Sequence, residues 1–99
     1  MIKHTYELIN KGPDRLSLNI NILVEHDSCE YFDVYDNIAL KFNNNQFEGN
    51  FAVYDERRKN IINYLVDNNI VKIVDKDEYY DKFVLYRVRL PKNVELELL

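Results

Sequence analysis

The sequence predicts an α+β fold: an antiparallel β-sheet of five to seven strands with one α-helix (about 55–68) packed on one face, all in a single domain spanning residues 1–99. Three observations predict it. Leu16, Leu18, Ile20, Ile22 and Val24 alternate with Ser17, Asn19, Asn21 and Leu23, the period of two expected of a half-buried strand. After Asp55 the period changes, and Ile61, Ile62, Leu65 and Val66 fall on one face of an amphipathic helix. Strands lie before and after that helix without alternating with further helices, an order that disfavours a parallel sheet.

The remaining elements follow in chain order. Gly12-Pro13-Asp14 is a turn, which makes Thr5–Asn10 a strand leading into the alternating segment. His26-Asp27-Ser28 ends that segment. Tyr31–Tyr35 and Ile38–Phe42 read as two short strands, and Asn43-Asn44-Asn45 as a turn, because Asn tolerates the left-handed backbone that tight turns need. Phe47–Tyr54 reads as a strand with a bulge at Gly49. Asp55 is placed to cap the helix, with Glu56 at the positive end of its dipole, and Asn68-Asn69 to stop it. Ile70–Val74 and Lys82–Leu90 read as strands joined by a polar loop, Asp75–Asp81. Past Pro91, the alternation of Val94, Leu96 and Leu98 with Glu95 and Glu97 reads as a last strand, pairing within the chain or with a second copy.

Composition narrows the function classes. The chain has 99 residues, 46% hydrophobic and 30% charged, within the range of soluble globular domains. No apolar run reaches the roughly 18 residues of a membrane span, and the N-terminus lacks the pattern of a signal peptide. A single cysteine, Cys29, excludes an intrachain disulfide and fits a reducing, cytoplasmic setting. With Gly12 and Gly49 the only glycines, neither a P-loop nor a dinucleotide-binding loop can be built, so no cofactor is expected. Asp75–Tyr86 opens like a calcium loop but has Tyr80 where glycine is needed and Tyr86 where glutamate is needed. Glu25-His26-Asp27-Ser28-Cys29 is the densest group of potential ligands or nucleophiles, yet His4 is the only other histidine; a polar turn accounts for it, and neither a metal nor a catalytic set is expected.

Charge is unevenly spread. The formal net charge of −4 belongs entirely to residues 1–50, where Lys3, Lys11, Arg15 and Lys41 face eight carboxylates. Between Arg15 and Lys41 there is no Lys or Arg, while Glu25, Asp27, Glu30, Asp33 and Asp36 crowd the end of that stretch. Such a surface repels phosphate and suits a basic partner. Tyrosines interleave with these acids and with those of the second half (Tyr31 and Tyr35; Tyr54, Tyr79 and Tyr80), supplying large contact area at two torsions each.

The second half resembles a family of short, uncharacterised proteins encoded by phages and mobile elements of Gram-positive bacteria. The resemblance covers about forty residues and is carried by Phe51-Ala52-Val53-Tyr54-Asp55, by Leu65-Val66-Asp67-Asn68-Asn69-Ile70 and by Tyr86-Arg87-Val88-Arg89-Leu90. It implies an accessory gene of a phage or plasmid and carries over no catalytic residue.

Together these readings lead to an expected function: a non-enzymatic, anti-CRISPR-like inhibitor that docks an acidic, tyrosine-bearing surface on a basic groove of a host nucleic-acid-handling protein, such as an antiviral nuclease. The contact residues are expected to be Glu25, Asp27, Glu30, Tyr31, Asp33, Tyr35 and Asp36. The expected partner is this basic host protein, with no direct nucleic-acid or membrane contact, and the chain a monomer or homodimer in the bacterial cytoplasm. The alternative is a nucleic-acid-binding module with a winged-helix-like C-terminal half, in which Arg57, Arg58 and Lys59 contact phosphate and Arg87 and Arg89 line the wing. A third reading, a small hydrolase or metal protein, would be built on His26 and Cys29.

Overall fold

The computed structural model describes residues 3–98. Six strands, β1 (His4–Gly12), β2 (Arg15–His26), β3 (Cys29–Asn43), β4 (Gln46–Val53), β5 (Lys72–Tyr79) and β6 (Phe83–Arg89), form one sheet in the order β1-β2-β3-β4-β6-β5. Every neighbouring pair is antiparallel. Helix α1 (Glu56–Asp67) carries the chain from β4 across to the edge strand β5, and β6 then fills the gap between them. The fold is thus a sheet-dominated α+β arrangement.

The alternating segment behaves as its pattern requires. Leu16, Leu18 and Ile20 of β2 stand opposite Leu40, Ile38 and Asp36 of β3, and the five apolar side chains are all at most 4% exposed. They join Phe47, Phe51, Val88 and Leu90 from the neighbouring strands and Ile61, Ile62 and Leu65 from α1 in one core. Burying each such side chain contributes about 1.5–3 kcal/mol. One sheet with a helix on it gives a thin molecule, 46 × 40 × 21 Å.

Turn chemistry is local and legible. Asp27-Ser28 and Asn44-Asn45 take positive φ (48° and 69°, 51° and 65°), which two-residue hairpin loops demand. Asp55 caps α1 by accepting from the Arg58 amide at 2.8 Å, and Asn69, at φ 56°, turns the chain out of it.

Four expectations are corrected. The two short strands Tyr31–Tyr35 and Ile38–Phe42 are one strand, β3, because a bulge at Tyr35 preserves the ladder while shifting its parity: Ile20 pairs with Asp36 but Asn21 with Val34. Gly49 sits in regular register and is no bulge; a Cβ there would lie 2.4 Å from the Ala39 carbonyl oxygen, so glycine is needed for close approach of β4 to β3. The polar loop Asp75–Asp81 is strand as far as Tyr79, since pairing with β6 supplies the order that an exposed edge lacks in its own pattern. The last strand is absent: Lys92–Glu95 forms a second short helix, α2, continued by a 3₁₀ turn at Leu96–Leu98. The fold therefore has more than one helix. Only Val94 of the expected strand is buried, and the Lys92–Glu95 ion pair at i, i+3 suits a helical turn.

Candidate partner-binding surface

Beyond Ile22, the last β2 residue paired with β1, the β2–β3 hairpin continues as a two-stranded ribbon to its turn at Asp27-Ser28. Directly paired residues share a face. One face carries Val24 with Tyr31 and Ile22 with Asp33; the other carries Glu25 with Glu30, Leu23 with Phe32 and Asn21 with Val34. Glu25 and Glu30 thus stand directly opposite each other, a like-charge pair that destabilises a sheet. Neither of them is joined to a basic side chain among the described residues.

The aromatic and apolar content of the ribbon is solvent-facing. Tyr31 is 50% exposed, Phe32 49% and Val34 55%. Phe32 and Val34 escaped the sequence reading, which named only acids and tyrosines as contacts in this stretch. The signal that could have found them is the parity break at Tyr35-Asp36, where a polar residue falls into the apolar phase of the strand.

The seven expected contact residues do not form one face. Glu25 and Glu30 lie beside Leu23 and Phe32, Tyr31 and Asp33 lie on the reverse face, and Asp27 is at the turn, its carboxylate 3.1 Å from His26 Nε2. Tyr35 and Asp36 are engaged internally. Tyr35 lies under the Arg57 guanidinium (5.0 Å to the ring centroid) and near the His4 ring, and its carbonyl accepts from Arg57 Nη1 at 3.3 Å. The Asp36 side chain is 9% exposed and meets Arg58 Nη2 at 3.1 Å and Arg57 Nη1 at 3.3 Å. These two anchor the base of the ribbon to α1.

The same contacts decide what the basic residues do. Arg58 also donates to the Ala52 carbonyl at 2.8 Å and stacks on the rings of Phe51 and Tyr54 (4.4 and 5.0 Å). Arg89 pairs with Glu48 at 3.2 Å and Arg87 approaches Asp75 at 4.0 Å. Of the proposed phosphate contacts, only Lys59 has no ion pair among those described. Among the described residues before α1, where a winged helix has its first helices, there are four strands and the turns between them and no helix.

Antiparallel order brings the two tight turns Asp27-Ser28 and Tyr80-Asp81 to the same end of the sheet, with the start of α1 between them. Tyr80 is 93% exposed and Tyr54 58%. The second-half tyrosines therefore flank the same end as the ribbon. At the other end lies an open depression of about 440 Å³ lined by Gln46, Lys72, Arg89 and Lys92 among others. His26 and Cys29 face each other across the ribbon's turn, and among the described residues no group of three or more His, Cys, Asp or Glu side chains is gathered to hold a metal.

Comparison with protein-family models, with curated proteins and with solved structures finds no match for this chain.

Proposed function

We propose that this chain is a small non-enzymatic binding protein that docks its acidic, aromatic ribbon on a basic groove of a larger protein. The groove is that of a nucleic-acid-handling protein of a bacterial host, such as a defence nuclease, and the chain is an accessory product of a phage or mobile element. It inhibits by occupation: carboxylates stand where phosphates would lie, and no bond is made or broken. The carrying observation is the opposition of Glu25 to Glu30 on a ribbon without Lys or Arg. That placement costs stability and strengthens a negative field at the end of the β2–β3 hairpin. Glu25, Asp27, Glu30, Asp33 and Tyr31 carry the contact; Asp36 and Tyr35 hold the ribbon in place.

The nucleic-acid-binding alternative has less support, because Arg57 and Arg58 spend their charge on Asp36 and Arg89 on Glu48.

The test is affinity capture from a bacterial lysate with the native chain and with the double variant Glu30→Lys, Asp33→Lys. The expected result is a set of basic proteins held by the native chain, released by a DNA oligonucleotide and lost by the variant. Capture of the same set by both chains would overturn the proposal.

A further inference from the structure

The ribbon ends in something more specific than charge: an open strand edge. β4 pairs with β3 only at Lys41–Asn43, so β3 from Cys29 to Val34 has β2 on one side and, among the described residues, no strand on the other. The register says which backbone groups point outward. The Leu23 amide donates to the Lys3 carbonyl at 3.1 Å, towards β1, so Leu23 and its cross-strand partner Phe32 form a pair that exchanges no hydrogen bonds. By the same alternation Glu30, Phe32 and Val34 aim both N–H and C=O away from the sheet. Tyr35 comes next, and its carbonyl is already taken by Arg57.

Proteins usually blunt such an edge with proline, with charged side chains (lysine above all), with a bulge or with a covering helix or loop. Residues 29–34 (Cys-Glu-Tyr-Phe-Asp-Val) contain no proline or lysine; their charges are the carboxylates of Glu30 and Asp33, which repel an acidic strand but admit a basic one, and Tyr31, Phe32 and Val34 are about half exposed. Three outward-facing residues at alternate positions span roughly 13 Å, enough for a segment of about five residues to add as a strand.

We propose that the β3 edge at Glu30–Val34 is a strand-addition site that takes an extended basic segment of the partner. This deepens the docking function proposed above and rests on it. The incoming backbone pairs with Glu30, Phe32 and Val34. Its side chains on one face lie beside Tyr31 and Asp33, and on the other beside Glu30, Phe32 and Val34, so lysine or arginine alternating with apolar residues answers both. Charge selects against a second copy of this chain, which would bring another Glu25, Asp27, Glu30 and Asp33 to a ribbon lacking Lys and Arg. Arg57, which lies over Tyr35 at the base of the ribbon, is held by Asp36 at 3.3 Å.

Two synthetic probes test the site on the full chain: an octapeptide alternating lysine with valine, and the same peptide N-methylated at alternate amides. Methylation keeps charge and side chains while removing the donors of one edge. The unmethylated peptide is expected to bind at least about tenfold more tightly, since methylation removes its hydrogen bonds to the edge. Val34→Pro removes an outward amide without touching the β2 ladder and is expected to weaken the unmethylated peptide by a similar factor, with Val34→Ala as control. If Val34→Pro fails to fold, the peptide pair decides alone. Equal binding of both peptides overturns strand addition and leaves charge-driven docking standing, whereas no binding of either at low salt overturns both. A chain that sediments as a dimer and becomes monomeric in Val34→Pro overturns the proposal in favour of self-pairing.

Discussion

Asp36 and Arg58 join the sheet to the helix: Oδ1 of the first lies 3.1 Å from Nη2 of the second, with the Asp36 side chain 9% and the Arg58 side chain 18% exposed. Asp36 stands in the ladder opposite the fully buried Ile20, an apolar environment for a carboxylate. Removing one partner of such a pair leaves the other charge uncompensated. Asp36→Ala is therefore expected to destabilise by about 3 kcal/mol in urea unfolding. Arg57→Ala, at a more exposed guanidinium, should cost clearly less, and Asp36→Ala with Arg58→Ala should cost less than the sum of the singles.

Gly49→Ala tests the close approach of β4 to β3. The added methyl would sit 2.4 Å from a backbone oxygen and 3.0 Å from side-chain carbons of Ile38 and Leu40. Backbone cannot swing aside as a side-chain end can, so a loss of about 3 kcal/mol or more is expected, read as a fall in thermal midpoint.

Tyr6 donates its hydroxyl to the Glu97 carboxylate at 2.7 Å, tying β1 to the C-terminal turn. Burial, then the hydrogen bond and the negative charge of Glu97, push its pKa up to about 12 from 10.0. The folded state thus holds the proton more tightly than the unfolded state does. The contribution is complete below pH 10 and is lost as pH rises from 10 towards 12. Tyr6→Phe should lower stability at neutral pH by about 1 kcal/mol and flatten the alkaline decline in thermal midpoint.

His4 lies against Tyr64 (5.2 Å between ring centroids), and burial lowers its pKa from 6.5. The fold prefers the neutral ring, so its contribution is present above pH 6.5 and is lost on acidification. His4→Gln should make the thermal midpoint less sensitive to pH between about 7 and 5.

The ribbon's carboxylates predict a functional change without a structural one. Glu30→Lys with Asp33→Lys replaces exposed residues and should shift stability by no more than about 0.5 kcal/mol per site, and Glu30→Lys should relieve the repulsion of Glu25. With any captured basic partner, the same variant should associate more slowly and lose the salt dependence of its on-rate, measured by stopped flow. The native chain should not retard a DNA duplex in a low-salt gel.

Much of this architecture was readable along the chain. The alternation at 16–24, the Asp55 cap, the Asn turns and the helical period of Ile61, Ile62 and Leu65 each follow from interactions within a few residues, and each stands where the pattern placed it. The errors share a cause. Tyr35-Asp36 looks like a break because the bulge that absorbs it exists only against β2, and Asp75–Tyr79 looks like loop because an exposed edge needs no apolar face. Val94–Leu98 fits a strand or a helical turn equally well until Val94 finds the core.

For the surface the division is sharper. Charge sums along the chain, so the absence of Lys and Arg between Arg15 and Lys41 was determined by composition alone. Which carboxylates remain free was decided by tertiary structure. Asp36 is neutralised by arginines more than twenty positions away, while Glu25 and Glu30 are set against each other by a two-residue turn and its register. Ion pairing depends on distance in space and falls steeply with separation and screening. Only the folded ladder sets those distances.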